Sequence, residues 1–239
     1  MTPSAPSDVL DAVGAVLFDI DGTLVDSNYL HVHAWTRAFA DLGDELTRPV
    51  DAWRIHRGIG MGSSLLLADL LGDDADRLAD RAKDGHAHHY RALADLQRPF
   101  DGARDLVRAV AERGARAVLA TSAAPAELEE LLKVLDLDDV LTGVTSDKDV
   151  NEAKPEPDLV HAALDIAGVP PERAVLVGDT GWDVEAAARA GVPCVAVLTG
   201  GVSEAELREA GAAAVYRDVA ALIADLDQSP LALAWHVED

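Results

Sequence analysis

The sequence predicts an α/β protein: a doubly wound, Rossmann-like parallel sheet carrying an inserted α-helical domain. Two observations predict the sheet and a third predicts the insertion. Apolar runs of strand length stand at residues 15–18, 117–120, 174–177 and 194–198. Each is continuous rather than alternating, the pattern of a strand covered on both faces. Amphipathic helical periods fill the intervals, over 102–113, 126–135, 157–167, 184–190 and 204–210. Between the first apolar run and the second lie roughly ninety residues, far more than one crossover connection needs.

In chain order, the first strand runs out at FDIDGTLVDS, and the surplus follows. Its segments SSLLLADLLG and DRLADRAKDGHAHHYRALADL are helical in period. The GIGMGSS stretch leading into the first of them is glycine-rich but lacks the GK[ST] ending of a phosphate-cradling loop, so it reads as a junction between helices. The chain therefore divides into a core of residues 1–28 and 96–239 and a helical domain of residues 29–95. The acidic run GDDADRLAD and the histidines of GHAHHY read as solvated helix faces. Beyond the insertion, helix and strand alternate to the end, with a weaker strand at 140–144. The tail SPLALAWHVED, through Leu231, Leu233 and Trp235, could cover its own domain or a partner.

Composition narrows the function. A chain of 239 residues with 49% hydrophobic residues can bury a substantial core. Its 20 Lys+Arg against 43 Asp+Glu give a formal charge of −23, which repels nucleic-acid phosphates and anionic membranes alike. The start, MTPSAPSDVLDAVGA, lacks the basic end and apolar run of a signal peptide, and Cys194, the one cysteine, has no internal partner. No apolar segment approaches membrane-spanning length. The expected location is cytoplasmic, with neither nucleic acid nor membrane as partner.

Ligands of an open parallel sheet sit beyond the carboxyl ends of its strands. The residues there are Asp19 and Asp21 after the first strand, Thr121 and Ser122 after the second, and Asp179 with Asp183 after the fourth. Lys154 precedes the fourth strand and is expected to reach the same edge. So many carboxylates at one edge call for a divalent cation, and hard oxygen ligands leaving room for substrate phosphate suit Mg²⁺.

The motifs FDIDGTLVDS, VLATSA, NEAKPEPD and VGDTGWDVEAA, in this order and spacing from Val13 to Ala224, resemble the four signature motifs of the haloacid dehalogenase superfamily. Within it the chain is similar to the phosphoglycolate phosphatase and β-phosphoglucomutase subgroup, whose helical cap is inserted where this sequence has its surplus. The resemblance implies that Asp19 is a nucleophile forming an aspartyl phosphate, and that Asp21 is the general acid and then the base. It implies Mg²⁺ bound by Asp19, Asp179 and the backbone carbonyl of Asp21. The phosphoryl group would be held by Thr121, Ser122, Lys154 and the backbone of Ile20 and Asp21, with Asp183 behind them capping a helix or orienting Lys154. Mutual repulsion with Asp19 is expected to make Asp21 easier to protonate. The implied substrate is a small phosphorylated metabolite.

Two of these residues also have plainer readings: Thr121 as a helix N-terminal residue, and Lys154 as an exposed loop lysine. For contacts from the cap, the candidates are His31, Arg57 and Lys83, while Trp35 is expected to pack at the hinge. A phosphatase is favoured over a sugar phosphomutase, because GDTGWD lacks the acidic pair that the mutases tend to show. A noncatalytic phospho-acceptor domain of receiver type fits less well, since receivers have no cap.

Overall fold

The computed structural model describes residues 14–146 and 152–235. The start of the chain, the first residue of NEAKPEPD and the end of SPLALAWHVED lie outside the described residues. Six strands form one parallel sheet in the order β3-β2-β1-β4-β5-β6. They are β1 (Ala15–Phe18), β2 (Arg116–Leu119), β3 (Gly143–Val144), β4 (Ala174–Gly178), β5 (Cys194–Val197) and β6 (Ala214–Tyr216). β1 is central, and its register aligns Phe18 with Leu119 on one side and with Val177 on the other. The residues just beyond three neighbouring strands therefore emerge side by side, which is what gathers the site.

Alternate residues of β1 feed two apolar layers, as a strand covered on both faces requires. Val16 and Phe18 pack with α5 (Ala103–Glu112) and α6 (Pro125–Leu135), and also with α10 (Val219–Ala224). Ala15 and Leu17 pack with α7 (Asp158–Ala167), α8 (Gly181–Arg189) and α9 (Glu204–Ala210). The tail closes the first layer: Leu231 and Ala234 are fully buried, and Gly14 N–H donates to the Ala234 carbonyl at 2.9 Å. Of its other two apolar residues, Leu233 is exposed and Trp235 packs against the core edge.

Four elements differ from the sequence expectation. β3 is confined to Gly143–Val144, because Val140 and Leu141 turn back on the Leu137 carbonyl instead of extending. β6 and α10 follow a stretch too rich in alanine to show a period; α10 starts where the Asp218 side chain accepts from Ala221 N–H at 2.8 Å. α8 begins at Gly181, three residues before the apolar period, because Thr180 and Asp183 form a reciprocal capping box.

The insertion consists of α1 (Asn28–Leu42), α2 (Ala52–Gly58), α3 (Ser63–Leu71) and α4 (Ala75–Arg91), around an apolar cluster of its own that includes Trp35, Phe39, Ile55, Leu70 and Leu78. α1 and α4 come close where Gly85 faces Ala38: a Cβ on Gly85 would stand 3.1 Å from that of Ala38. Along α4, Leu78, Ala82, His86 and Tyr90 recur every four residues and are all buried. This corrects the reading of GHAHHY as wholly solvated: His86 lies inside, with its ring centroid 4.1 Å from that of Trp35. Trp35 is a packing residue, as expected. The acidic run is also not wholly wet. Asp74 is buried, accepting from Thr47 N–H at 2.8 Å and from Arg77 at 2.7 Å.

Candidate active site

At the end of β1 the chain coils tightly, with Leu24 and Val25 N–H both donating to the Ile20 carbonyl at 2.9 Å. Gly22 makes the turn at φ 78°, and a Cβ there would collide with the side chains of Asn28 and Asp179. Asp19 is held at the sheet edge by its N–H, which donates to the Val177 carbonyl at 2.9 Å. Lys154, itself buried, donates to Asp19 Oδ1 and to Asp183 Oδ1, each at 2.5 Å. The plainer reading of Lys154 as an exposed loop lysine is therefore excluded. Asp183 is held in turn by Thr180, whose hydroxyl donates to Asp183 Oδ2 at 2.6 Å and whose N–H does so at 3.0 Å.

Asp179 is fully buried, and no cation among the described residues pairs with it. Thr23 Oγ1 donates to one of its oxygens at 2.9 Å and Asn28 Nδ2 to the other at 2.8 Å, while Asn28 Oδ1 is buried without a partner among the described residues. Burial, together with the charges of Asp183 and Asp19, pushes the Asp179 carboxyl well above the usual carboxylate range. Burial also raises Asp19, to about 7, against the opposing pull of Lys154. Lys154, in spite of burial, is held above its ordinary value by the two carboxylates. Oxygens of Asp19, Asp179 and Asp183 lie within 4.8 Å of one another. An all-oxygen donor set, raised carboxyls and an orphaned amide oxygen beside them fit a hard divalent cation.

Asp21 has different neighbours. Ser27 Oγ donates to its Oδ1 at 2.5 Å, and His31 Nε2 stands 3.3 Å from the same oxygen. Burial would raise this carboxyl, but the hydrogen bonds and charge of His31, with that of Ser27, hold it below the usual range. Contrary to the expectation from its neighbour, Asp21 is therefore not made easier to protonate: repulsion from Asp19 is outweighed by His31 and Ser27. His31 is pushed up to about 10, because Asp21 and Glu127 outweigh the cost of its burial.

These groups open on a cleft of about 250 Å³ between the sheet edge and the insertion. Asp19, Asp21, Thr121, Ser122 and Lys154 line one wall, and His31, Lys83, Met61, Leu66 and His86 are among those facing them. Thr121 is pinned by Thr145, whose Oγ1 accepts from Thr121 N–H at 2.9 Å and donates to its carbonyl at 2.8 Å. Thr121 Oγ1 accepts from Ala123 N–H at 3.1 Å, so its own hydrogen is not used in that bond. Arg57, expected among the cap contacts, is placed elsewhere. Its Nη1 donates to Glu206 Oε1 at 2.6 Å across a separate crevice of about 400 Å³, because it projects from α2 toward α9. Sequence reasoning missed Ser27, Asn28, Thr145, His86 and Glu127. Of these, Ser27 and Asn28 carried a signal, standing where the FDIDGTLVDS motif meets α1.

Comparison with known proteins assigns this sheet edge, with its paired aspartates and buried lysine, to a class of hydrolases. The haloacid dehalogenase-like hydrolase family matches residues 13–191, and the chain belongs to that family. Within it the chain is a phosphatase. It is 35% identical over 217 residues to a phosphoglycolate phosphatase of Rhodospirillum rubrum, covering 87% of this chain and 88% of that one. A hydrolase crystal structure from Pseudomonas syringae superposes with a TM-score of 0.83 at 35% identity, covering 90% of this chain and 98% of that one. A putative β-phosphoglucomutase from Bacteroides vulgatus shares the fold, with a TM-score of 0.81 at 19% identity and coverage of 95% and 92%. No helix among the described residues is long and apolar enough to cross a membrane.

Proposed function

We propose that the protein is a Mg²⁺-dependent phosphomonoesterase that hydrolyses a small phosphorylated metabolite through an aspartyl phosphate on Asp19, with residues 29–95 acting as its cap. The observation that carries this reading is the placement of Asp19. Its carboxylate meets Lys154 at 2.5 Å, at the floor of a cleft whose wall holds a second carboxylate, Asp21, in a separate hydrogen-bonded setting. Two carboxylates in unlike environments are what a nucleophile and an acid–base group require.

The Asp19 oxygen attacks phosphorus while Asp21, protonated as the anionic ester enters the cleft, gives that proton to the leaving alkoxide. Asp21 then takes a proton from the water that hydrolyses the acyl phosphate. Lys154 neutralises the equatorial oxygens, the Thr121 hydroxyl donates to one of them, and Ser122 and the N–H groups of Ile20 and Asp21 complete the cradle. Asp19, Asp179 and the Asp21 carbonyl would hold Mg²⁺, which supplies positive charge against the approach of anion to anion. Asp183 orients Lys154, and Thr23 and Asn28 orient Asp179. Lys83 and His31 face the substrate's leaving group from the cap. The R. rubrum relative makes phosphoglycolate the first substrate to try.

The test is a panel of phosphate esters with the purified protein and Mg²⁺. Release of inorganic phosphate from small esters, lost on chelation, is expected. Turnover undiminished in excess chelator would contradict the metal assignment.

A further inference from the structure

Glu127 stands at the cleft wall, in the first turn of the core helix α6, yet nothing in the hydrolytic scheme uses it. A carboxylate lining a cleft for an anionic substrate repels that substrate unless a cation answers it. The group that answers it is His31, on the insertion helix α1. His31 Nε2 lies 3.3 Å from Glu127 Oε1 and 3.3 Å from Asp21 Oδ1. Carboxylate oxygens only accept, so Nε2 is the donor to both. The rest of the ring is fixed by the insertion: Nδ1 is 3.0 Å from His86 Nε2, and the ring stacks on Tyr90 with centroids 4.0 Å apart and planes 10° from parallel. α1 and α4 thus set the plane of the imidazole, and two core carboxylates set where its Nε2 points.

We propose that Glu127 is a positioning residue: from the core it fixes the His31 imidazole against Asp21, so that the acid–base carboxylate is set when the insertion and the core are closed on each other. It touches neither substrate nor reacting atoms and acts only through His31. The inference rests on the reading of Asp21 as the acid–base group, and it adds a joint between core and insertion that the hydrolytic motifs do not contain.

The experiment compares Glu127→Ala and Glu127→Gln with the wild type, with Mg²⁺, on phosphoglycolate and on p-nitrophenyl phosphate. An alkoxide must be protonated as it leaves, whereas p-nitrophenolate leaves without help, so misplacing Asp21 penalises the first ester selectively. Glu127→Ala is expected to lower kcat/KM for phosphoglycolate by about tenfold, the scale of losing an orienting partner, and for p-nitrophenyl phosphate by less than about twofold. Glu127→Gln, which keeps an oxygen acceptor, should recover part of the loss. Equal losses on both esters, or a rise in KM alone, would overturn the inference. Should the wild type hydrolyse no alkyl ester, it is the phosphatase reading that fails. The joint is then decided by the melting temperatures of Glu127→Ala, His31→Ala and the double variant. Additive losses overturn it, and a double variant no less stable than the weaker single variant supports it.

Discussion

Asp19 and Asp21 are two residues apart, and their chemistry is separated by what each one touches. Asp19 faces Lys154 and shares a buried pocket with Asp179 and Asp183, while Asp21 faces Ser27 and His31. The difference has a measurable consequence for stability. Burial lifts Asp19 from 3.8 to about 7 and lifts Asp179 in the same direction, so the folded protein binds protons that the unfolded chain has released. Over the window from about 4 to about 7 these two groups therefore make stability fall as pH rises. Asp21, which is lowered, works the other way: its stabilisation is present above its ordinary value and is lost only as pH falls below it. The melting temperature of the protein in excess EDTA is expected to decline between pH 4.5 and 7.5, with a shallower slope in Asp179→Asn. A melting temperature that climbs across that window would contradict the assignment of those buried carboxyls. Mg²⁺ is expected to raise the melting temperature most at the upper end, where the carboxyls ionise.

At the scale of elements, α8 joins stability to the site. Thr180 caps the helix and also holds Asp183, which holds Lys154. Thr180→Ala is expected to cost about 1 kcal/mol, as loss of an N-cap does, and to lower kcat as well, because the Asp183 carboxylate loses its hydroxyl donor and keeps only the backbone N–H. Unfolding in urea and steady-state kinetics on the same variant check both halves. A stability loss with unchanged kcat would show that Asp183 keeps its place unaided. The box was legible in the sequence as Thr-x-x-Asp, but the apolar period of VEAAARA drew the predicted start to Val184. The buried strands were legible for a simpler reason: AVLF and AVLVG are continuous apolar runs of strand length, the pattern of a sheet covered on both faces. β6 and α10 were not, because alanine-rich sequence carries no period. Nor was the stack of Trp35, His86, His31 and Tyr90, since it joins α1 to α4 and depends on tertiary packing that local periodicity does not encode.

Across the whole molecule, a sheet edge supplies fixed charges and a helical insertion covers them, and on the proposed mechanism water's access to a phosphoryl group on Asp19 separates a phosphatase from a mutase. A mutase would shield that group until its substrate had turned round, whereas a phosphatase admits water in each cycle. A phosphorus NMR time course with glucose 1-phosphate and with phosphoglycolate, each with and without glucose 1,6-bisphosphate, is expected to show inorganic phosphate accumulating without a primer. Primer-dependent growth of glucose 6-phosphate would point to the mutase. The central claim is that Asp19 is phosphorylated and that Asp21 then drives its hydrolysis. It is tested most directly by the intact mass of Asp21→Asn after incubation with Mg²⁺ and p-nitrophenyl phosphate, followed by peptide mapping. Phenolate needs no protonation, so the first step should proceed while the second stalls. The prediction is one added phosphoryl group on the peptide that contains Asp19, absent when Asp19 is also changed to Asn. An unmodified Asp21→Asn protein that still turns over esters at the wild-type rate would contradict it.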